Sequence, residues 1–292
     1  MKSAPDMAII GPGKVGTAIG LLARRAGWPV VAIAGRNRRR AAAAARIIGG
    51  GVRVGTAAES AGKAGLVLLS VPDDQIRNVC DALAADGAFL PGAVVAHCCG
   101  ALGSDVLASA RRCGCRVGSI HPLATFPTVR DAVKRLAGTY CFIEGDGPAV
   151  TVLTRLARAV GGRAVRIAPN AKPLYHAAAV TACNYLTALM DAAATMCRRA
   201  GVGPRAAWAA LEPLVRATLE NIWSLGPAKA LTGPIARGDA ATVAGHLQAL
   251  RDAPGDLRDL YVALGRWTVD LAGRKGTLST AKAAEIRRLL KR

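Results

Sequence analysis

Three glycines, Gly11, Gly13 and Gly16, stand between an apolar run, Met7-Ala8-Ile9-Ile10, and a helical pattern that continues through Ala26. A turn of this composition does its chemistry with the backbone, by cradling a pyrophosphate. Gly11 permits the tight turn, Gly13 leaves room for the anion against the main chain, and Gly16 lets the helix approach the strand. The first helical amides, at Lys14 and Val15, face the negative charge. The motif carries weight because it follows a strand and opens a helix. About 20 residues further on, dinucleotide-binding proteins commonly place an acidic residue on the adenosine ribose. Here the second apolar run, Val30-Val31-Ala32-Ile33-Ala34, ends instead in Gly35-Arg36-Asn37-Arg38-Arg39-Arg40. The expected cofactor is therefore NADP(H), with Arg36 stacked on adenine and Asn37 and Arg38 on the 2′-phosphate, because a planar fork of donors suits a phosphate dianion. The other reading of this loop is a solvated basic turn.

A second group of residues could act on a substrate. The run Leu66-Val67-Leu68-Leu69-Ser70-Val71 stops at Pro72, so Ser70, Val71 and Pro72 are expected to line the nicotinamide half of the cofactor site, with Asp73 or Asp74 capping the next helix. His121-Pro122 ends another apolar run, where an imidazole would project into the crevice and Pro122 would stop the ladder. A histidine there can exchange a proton with a carbonyl oxygen as hydride moves. Cys99 closes the preceding run and is expected to border the same crevice. Lys172, His176 and Asn184, separated by four and eight residues, can share one broad helical face and polarise the reacting group, or form an exposed polar stripe. In the turn-rich stretch Ala230 to Asp239, Arg237 is a candidate clamp for a substrate carboxylate, with Thr232 beside it. The rival account makes Thr232 and Asp239 helix caps and Arg237 a surface partner.

These residues need a frame to hold them. The first half alternates short apolar runs with helical segments, at Met7–Ile10, Val30–Ala34, 51–54, 66–71, 93–97 and 116–120, followed by 140–144 and 165–167. That alternation predicts an α/β fold, a doubly wound, mostly parallel sheet with ligands at the strand C-termini. From Pro173 the periodicity is helical: 173–200, 204–225, 240–253, 256–272 and 280–291. The expected organisation is an NADP-binding domain over 1–168 and an all-α domain for substrate and dimerisation over 169–292.

Composition narrows the class. With 292 residues, 52% hydrophobic and 20% charged, the chain can build well-formed cores. No N-terminal leader or membrane-length apolar run is visible, which predicts a cytoplasmic protein without membrane association. Eight cysteines without a secretory pattern or zinc-site spacing read as reduced core residues, and no metal site is expected. The net charge of +20 raises nucleic acid as a partner. Basic residues are scattered, however, and aromatic residues make up only 4%, so no specific nucleic-acid binding is expected.

The strings GPGKVG, SVPDDQI, GSIHPLATF, YHAAAVTACNYL and ALTGPIARGDAATVAGHL together resemble the Rossmann-like proteins that carry a C-terminal helical domain of unknown function, of the six-phosphogluconate-dehydrogenase-like type. The resemblance runs from about Ala8 to about Tyr261. It implies an NADP-dependent oxidoreductase and names no substrate. A more distant similarity is to prephenate dehydrogenases, whose His-Pro motif is matched by His121-Pro122; the chain departs from their pattern at Cys99, where they carry Ser. Pyrroline-carboxylate and ketopantoate reductases share the architecture, which implies a small carboxylate bearing a carbonyl or imine, and a homodimer by analogy. The alternative function is a non-catalytic protein that responds to NADP(H).

Overall fold

The computed structural model describes residues 3–291. The chain divides into two compact units, a first up to Asn184 and a second from Tyr185. The division falls inside a single long helix.

The first unit is built on eight strands: β1 (Met7–Ile10), β2 (Val30–Ala34), β3 (Arg53–Gly55), β4 (Leu66–Leu69), β5 (Val94–His97), β6 (Arg116–Pro122), β7 (Tyr140–Gly145) and β8 (Arg163–Arg166). Its helices are α1 (Lys14–Arg25), α2 (Arg38–Ile48), α3 (Ala57–Ala61), α4 (Ile76–Ala85), α5 (Ala108–Arg112), α6 (Val129–Leu136) and α7 (Gly147–Ala159). The strands lie in the order β3-β2-β1-β4-β5-β6-β7-β8. All pairings are parallel except β6 with β7.

The central strands are short, unbroken apolar runs because both faces of the sheet are covered. Met7, Ile9, Leu66 and Leu68 turn to one face, with Ile19 of α1, Leu136 of α6 and Leu153 of α7. Ala8, Ile10, Val67 and Leu69 turn to the other, with Ile76 and Leu83 of α4. Each fully buried Leu or Ile contributes roughly 1.5–3 kcal/mol of transfer free energy. The connections leave β1 toward β2 on one side, while β4 lies on the other. The C-terminal ends of β1 and β4 therefore form the switch point where such sheets open a crevice.

β6 ends at Pro122, which is itself paired with Cys141, and one further backbone bond joins the Leu123 amide to the Tyr140 carbonyl. One expectation beside the sheet is corrected. Neither Asp73 nor Asp74 caps a helix through its side chain. A 3₁₀ turn over Asp73–Gln75 leads into α4, with the Gln75 amide bonded to the Pro72 carbonyl.

Helix α8 (Lys172–Arg199) leaves the sheet, and the second unit continues it with α9 (Pro204–Leu225), α10 (Pro227–Ala230), α11 (Pro234–Arg237), α12 (Ala240–Ala249), α13 (Gly255–Lys275) and α14 (Thr280–Leu289). The segment read as turns, 230–239, thus begins at the last residue of α10 and contains the one-turn helix α11; both helices are opened by proline, whose fixed φ suits a helix start. Val243, Val269, Ile286 and Leu290 form its small core. Among the described residues, no helix is long and apolar enough to cross a membrane.

Candidate functional site

The glycine turn is held by contacts that only glycine allows. Gly11 has φ +110°, and a Cβ there would lie 2.6 Å from the Ser70 backbone. A Cβ on Gly16 would stand 2.1 Å from Ser70 Oγ, the hydroxyl that donates to the Gly11 carbonyl at 2.6 Å and ties β4 to the turn. Gly13 differs: no protein atom lies within 3.8 Å of where its Cβ would be. Packing does not demand glycine at that position, whereas a ligand lying on the backbone would. Gly13 caps α1 without a side-chain bond, and no acidic residue occupies the first turn, so the amides of Lys14, Val15 and Gly16 face outward with the helix dipole behind them.

Around the turn lies a cavity of about 530 Å³, bounded by Gly11, Gly13, Arg36, Arg40, Ser70 and Val71, with Asn37 and Pro72 also in its wall. Lys14 and Val15 line an adjoining recess with Phe126. These residues fit a dinucleotide: exposed amides at one end, guanidinium groups at the other, apolar walls between. The lining includes Arg40, which motif reading quoted but did not assign, and leaves out Arg38, the first residue of α2. Asn37 is the N-cap of α2, its Oδ1 accepting from the Arg40 amide at 3.0 Å, which leaves its amide hydrogens as the available donors.

A second cluster sits where β6 and β7 meet the start of α8. The antiparallel register sets Ser119 opposite Glu144 and His121 opposite Phe142. Residues 172, 175 and 176 of α8, at i, i+3 and i+4, share one face and meet these pairs in turn. Lys172 is fully buried; its ammonium donates to Ser119 Oγ at 2.6 Å and to the Cys99 carbonyl at 2.7 Å, and lies 3.9 Å from Glu144 Oε1. Glu144 accepts from Ser119 Oγ at 2.5 Å and Ser104 Oγ at 2.8 Å. Burial pushes the Lys172 pKa down, and the Glu144 carboxylate pulls it back up. Lys172 was expected to polarise a reacting group. Its donors are instead spent inside the protein, so it clamps the loop after β5 to β6.

One step along the same face, Tyr175 packs on Phe142 with ring centroids 4.2 Å apart, and its hydroxyl lies 2.9 Å from His121 Nδ1. Burial raises the Tyr175 pKa. The His121 and His176 rings stand edge to face, 6.0 Å apart. A Cβ on Gly100 would come within 2.6 Å of the His176 ring and 2.7 Å of the His121 ring, so both imidazoles occupy the space that this glycine vacates. Burial, with the Lys172 charge second, lowers the His121 pKa to about 4, and the ring is neutral at pH 7. His97 at the end of β5 is buried, its Nδ1 accepting from the Cys99 amide at 3.2 Å; burial lowers its pKa to about 3.

Cys99 is also buried. Its sulfur accepts from the Ala101 and Leu102 amides at 3.3 Å and shapes the loop, and burial raises its pKa, which suits no nucleophile. Asn184 is exposed, 12 residues and about 18 Å along the helix axis from Lys172, so the structure does not bring it to this cluster. Arg237 and Thr232 belong to the second unit. Arg237 is exposed and 4.0 Å from Asp239, which caps α12 by accepting from the Thr242 amide. Thr232 lines a cavity of about 360 Å³ within the helical unit, with His246 and Tyr261 hydrogen-bonded at 2.8 Å in its wall. Tyr175, Gly100, Glu144 and Ser119 escape a sequence reading because their roles come from cross-strand register and from a shape filled by other residues. No group of three or more metal-ligating side chains gathers among the described residues.

A parallel sheet with a glycine cradle at its switch point and a following helical unit defines a Rossmann-like protein of two-part architecture. Residues 2–122 match the family model of the Rossmann-like domain. Residues 139–268 match that of a domain of unknown function, DUF2520. The chain thus combines a Rossmann-like domain with a C-terminal DUF2520 domain. Among solved structures, a Bacteroides fragilis protein provisionally called an NADP oxidoreductase is 22% identical with a TM-score of 0.72, over 91% of this chain and 98% of that one. Protein TM1727 from Thermotoga maritima is 25% identical with a TM-score of 0.70, over 90% and 98%. An imine reductase from Pseudomonas sp. is 18% identical with a TM-score of 0.65, over 95% and 100%. No curated protein matches the chain.

Proposed function

We propose that the protein is an NADP(H)-dependent oxidoreductase acting on a small carboxylate-bearing carbonyl or imine compound, a 2-oxo acid such as ketopantoate or a cyclic imine. The observation that carries this reading is the pairing, along the C-terminal edge of one sheet, of an anion cradle lined by two arginines with a neutral histidine at the end of β6. The names of the Bacteroides and Pseudomonas structures support the same reaction class.

The chain's own residues would act as follows. The amides after Gly13 hold the pyrophosphate, and Arg36 and Arg40 the 2′-phosphate, with Asn37 contributing its amide hydrogens. Ser70, Val71 and Pro72 wall the nicotinamide half, where the bound cofactor supplies or accepts a hydride at C4. His121 hydrogen-bonds the reacting oxygen or nitrogen. With its pKa near 4, only about one ring in a thousand carries the second proton at pH 7, so it serves as a neutral hydrogen-bond partner to the reacting group. The exposed Trp208 and Trp223 of α9 and Trp267 of α13 support a homodimer built through the helical unit.

The test is a fluorescence titration with NADPH and NADH, followed by NADPH oxidation against a panel of 2-oxo acids and cyclic imines. Arg36→Ala and Arg40→Ala are expected to weaken NADPH about tenfold or more each and leave NADH unchanged, because each removes charge-assisted bonds worth roughly 1.5–3 kcal/mol. His121→Asn is expected to lower turnover with NADPH affinity intact. Absence of binding by either nucleotide would overturn the proposal, and binding without turnover of any compound would favour a non-catalytic NADP(H)-responsive protein.

A further inference from the structure

The two edges of the His121 ring meet different neighbours. Nδ1 faces the Tyr175 hydroxyl at 2.9 Å. The opposite edge, Nε2 and Cε1, is the one turned toward Gly100 and His176, since a Cβ on Gly100 would lie 2.9 Å from Nε2. Nε2 makes no hydrogen bond among the described residues, and neither does the Tyr175 hydroxyl apart from its bond to Nδ1. A phenol with one acceptor in reach donates to it. A neutral imidazole carries one proton on two nitrogens, so an Nδ1 that accepts leaves the proton on Nε2. The Tyr175 ring has little freedom to do otherwise, stacked as it is on Phe142, the cross-strand partner of His121.

We propose that Tyr175 is a positioning residue that fixes His121 as its Nε2–H tautomer, so that the group presented to His121 must be a hydrogen-bond acceptor, a carbonyl oxygen, rather than the N–H of a protonated imine. The substrate half of this inference rests on the oxidoreductase reading above; the tautomer half does not. A protonated imine would set donor against donor at Nε2, whereas a 2-oxo acid offers the oxygen that Nε2–H requires. Tyr175 itself passes no proton on, because burial raises its pKa and holds the hydroxyl in its protonated form. Its action is to orient the ring and choose which nitrogen carries hydrogen.

The experiment is ¹⁵N spectroscopy of the full chain labelled at its four histidines, with His121→Asn to identify the resonances. At pH 7 the expected pattern for His121 is an unprotonated-type Nδ1 and a protonated-type Nε2. Tyr175→Phe keeps the ring on Phe142 and is expected to reduce the tautomer bias about fivefold, as loss of one ordinary hydrogen bond should. A protonated-type Nδ1 in the wild type, or an unchanged pattern in Tyr175→Phe, overturns the proposal. In the kinetic arm, 2-oxo acids are expected to be turned over about tenfold or more faster than cyclic imines of high basicity; the reverse order overturns the substrate half. Failure to bind NADPH would remove the oxidoreductase reading and the substrate half with it, while the nitrogen spectrum still decides the tautomer.

Discussion

Replacing Lys172 with methionine probes the clamp beneath the candidate site. Methionine fills much the same space but removes the ammonium that lies 2.6 Å from Ser119 Oγ, 2.7 Å from the Cys99 carbonyl and 3.9 Å from Glu144. The Lys172 and Glu144 side chains are 0% and 1% exposed, so the carboxylate is left without a countercharge and without water, holding only the Ser104 and Ser119 hydroxyls. Breaking one partner of a buried pair costs about 3–5 kcal/mol, a large share of the roughly 5–15 kcal/mol that holds a domain together. Fluorescence would blur the result, because Trp28 reports the first unit and Trp208, Trp223 and Trp267 the second. Native-state hydrogen exchange on the β6 amides is the cleaner assay. Protection there is expected to fall by roughly a hundred- to several-thousand-fold, at about 1.4 kcal/mol per factor of ten. Adding Glu144→Gln to the same chain should restore most of it, since the neutral amide accepts from one serine through its oxygen and donates to the other serine's hydroxyl oxygen through its NH2. A loss of less than about 1 kcal/mol in the single variant, or a double variant as poor as the sum of the two singles, would refute the clamp.

Gly100→Ala drives a methyl group against the His121 and His176 rings; turnover should fall about a hundredfold, as small misplacements of reacting groups do, while NADPH affinity measured by titration stays within error. The first unit should also be labile in acid. His97 and His121 titrate near 3 and 4 in the fold against 6.5 in an unfolded chain, so the unfolded state binds more protons in that window. The stability they contribute is complete above about pH 6.5 and is lost as pH falls toward 4, at about 1.4 kcal/mol per pH unit for each. Denaturant unfolding of the first unit, followed by exchange at pH 7 and pH 5, would contradict this if the midpoints coincide. At the exposed face of the helical unit, Trp223→Arg with Trp267→Arg should yield a monomer by light scattering where the wild type is a dimer; tryptophans at such positions carry about 2 kcal/mol or more each, and an unchanged mass would place the interface elsewhere.

What depends on local pattern is legible along the chain before it folds. Apolar runs of four or five residues, the glycine spacing after β1 and the change to helical periodicity near Pro173 are enough for an α/β sheet followed by helices, since strand length, turn chemistry and amphipathic period are properties of neighbours in the chain. They also marked His121 and the arginine-rich turn after β2. Tertiary structure decided what depends on register and enclosure. Only the antiparallel pairing of β6 with β7 sets Glu144 against Ser119 and Phe142 against His121, and only the docking of α8 on those pairs turns Lys172 inward, brings in Tyr175 and leaves Asn184 in solvent. Which arginine joins the cavity is decided by the direction in which α2 leaves the sheet, which favours Arg40 over Arg38. The physical reason is the same in each case: a side chain's charge state and partners follow from which distant segments exclude water around it, and that exclusion exists only after the segments have packed.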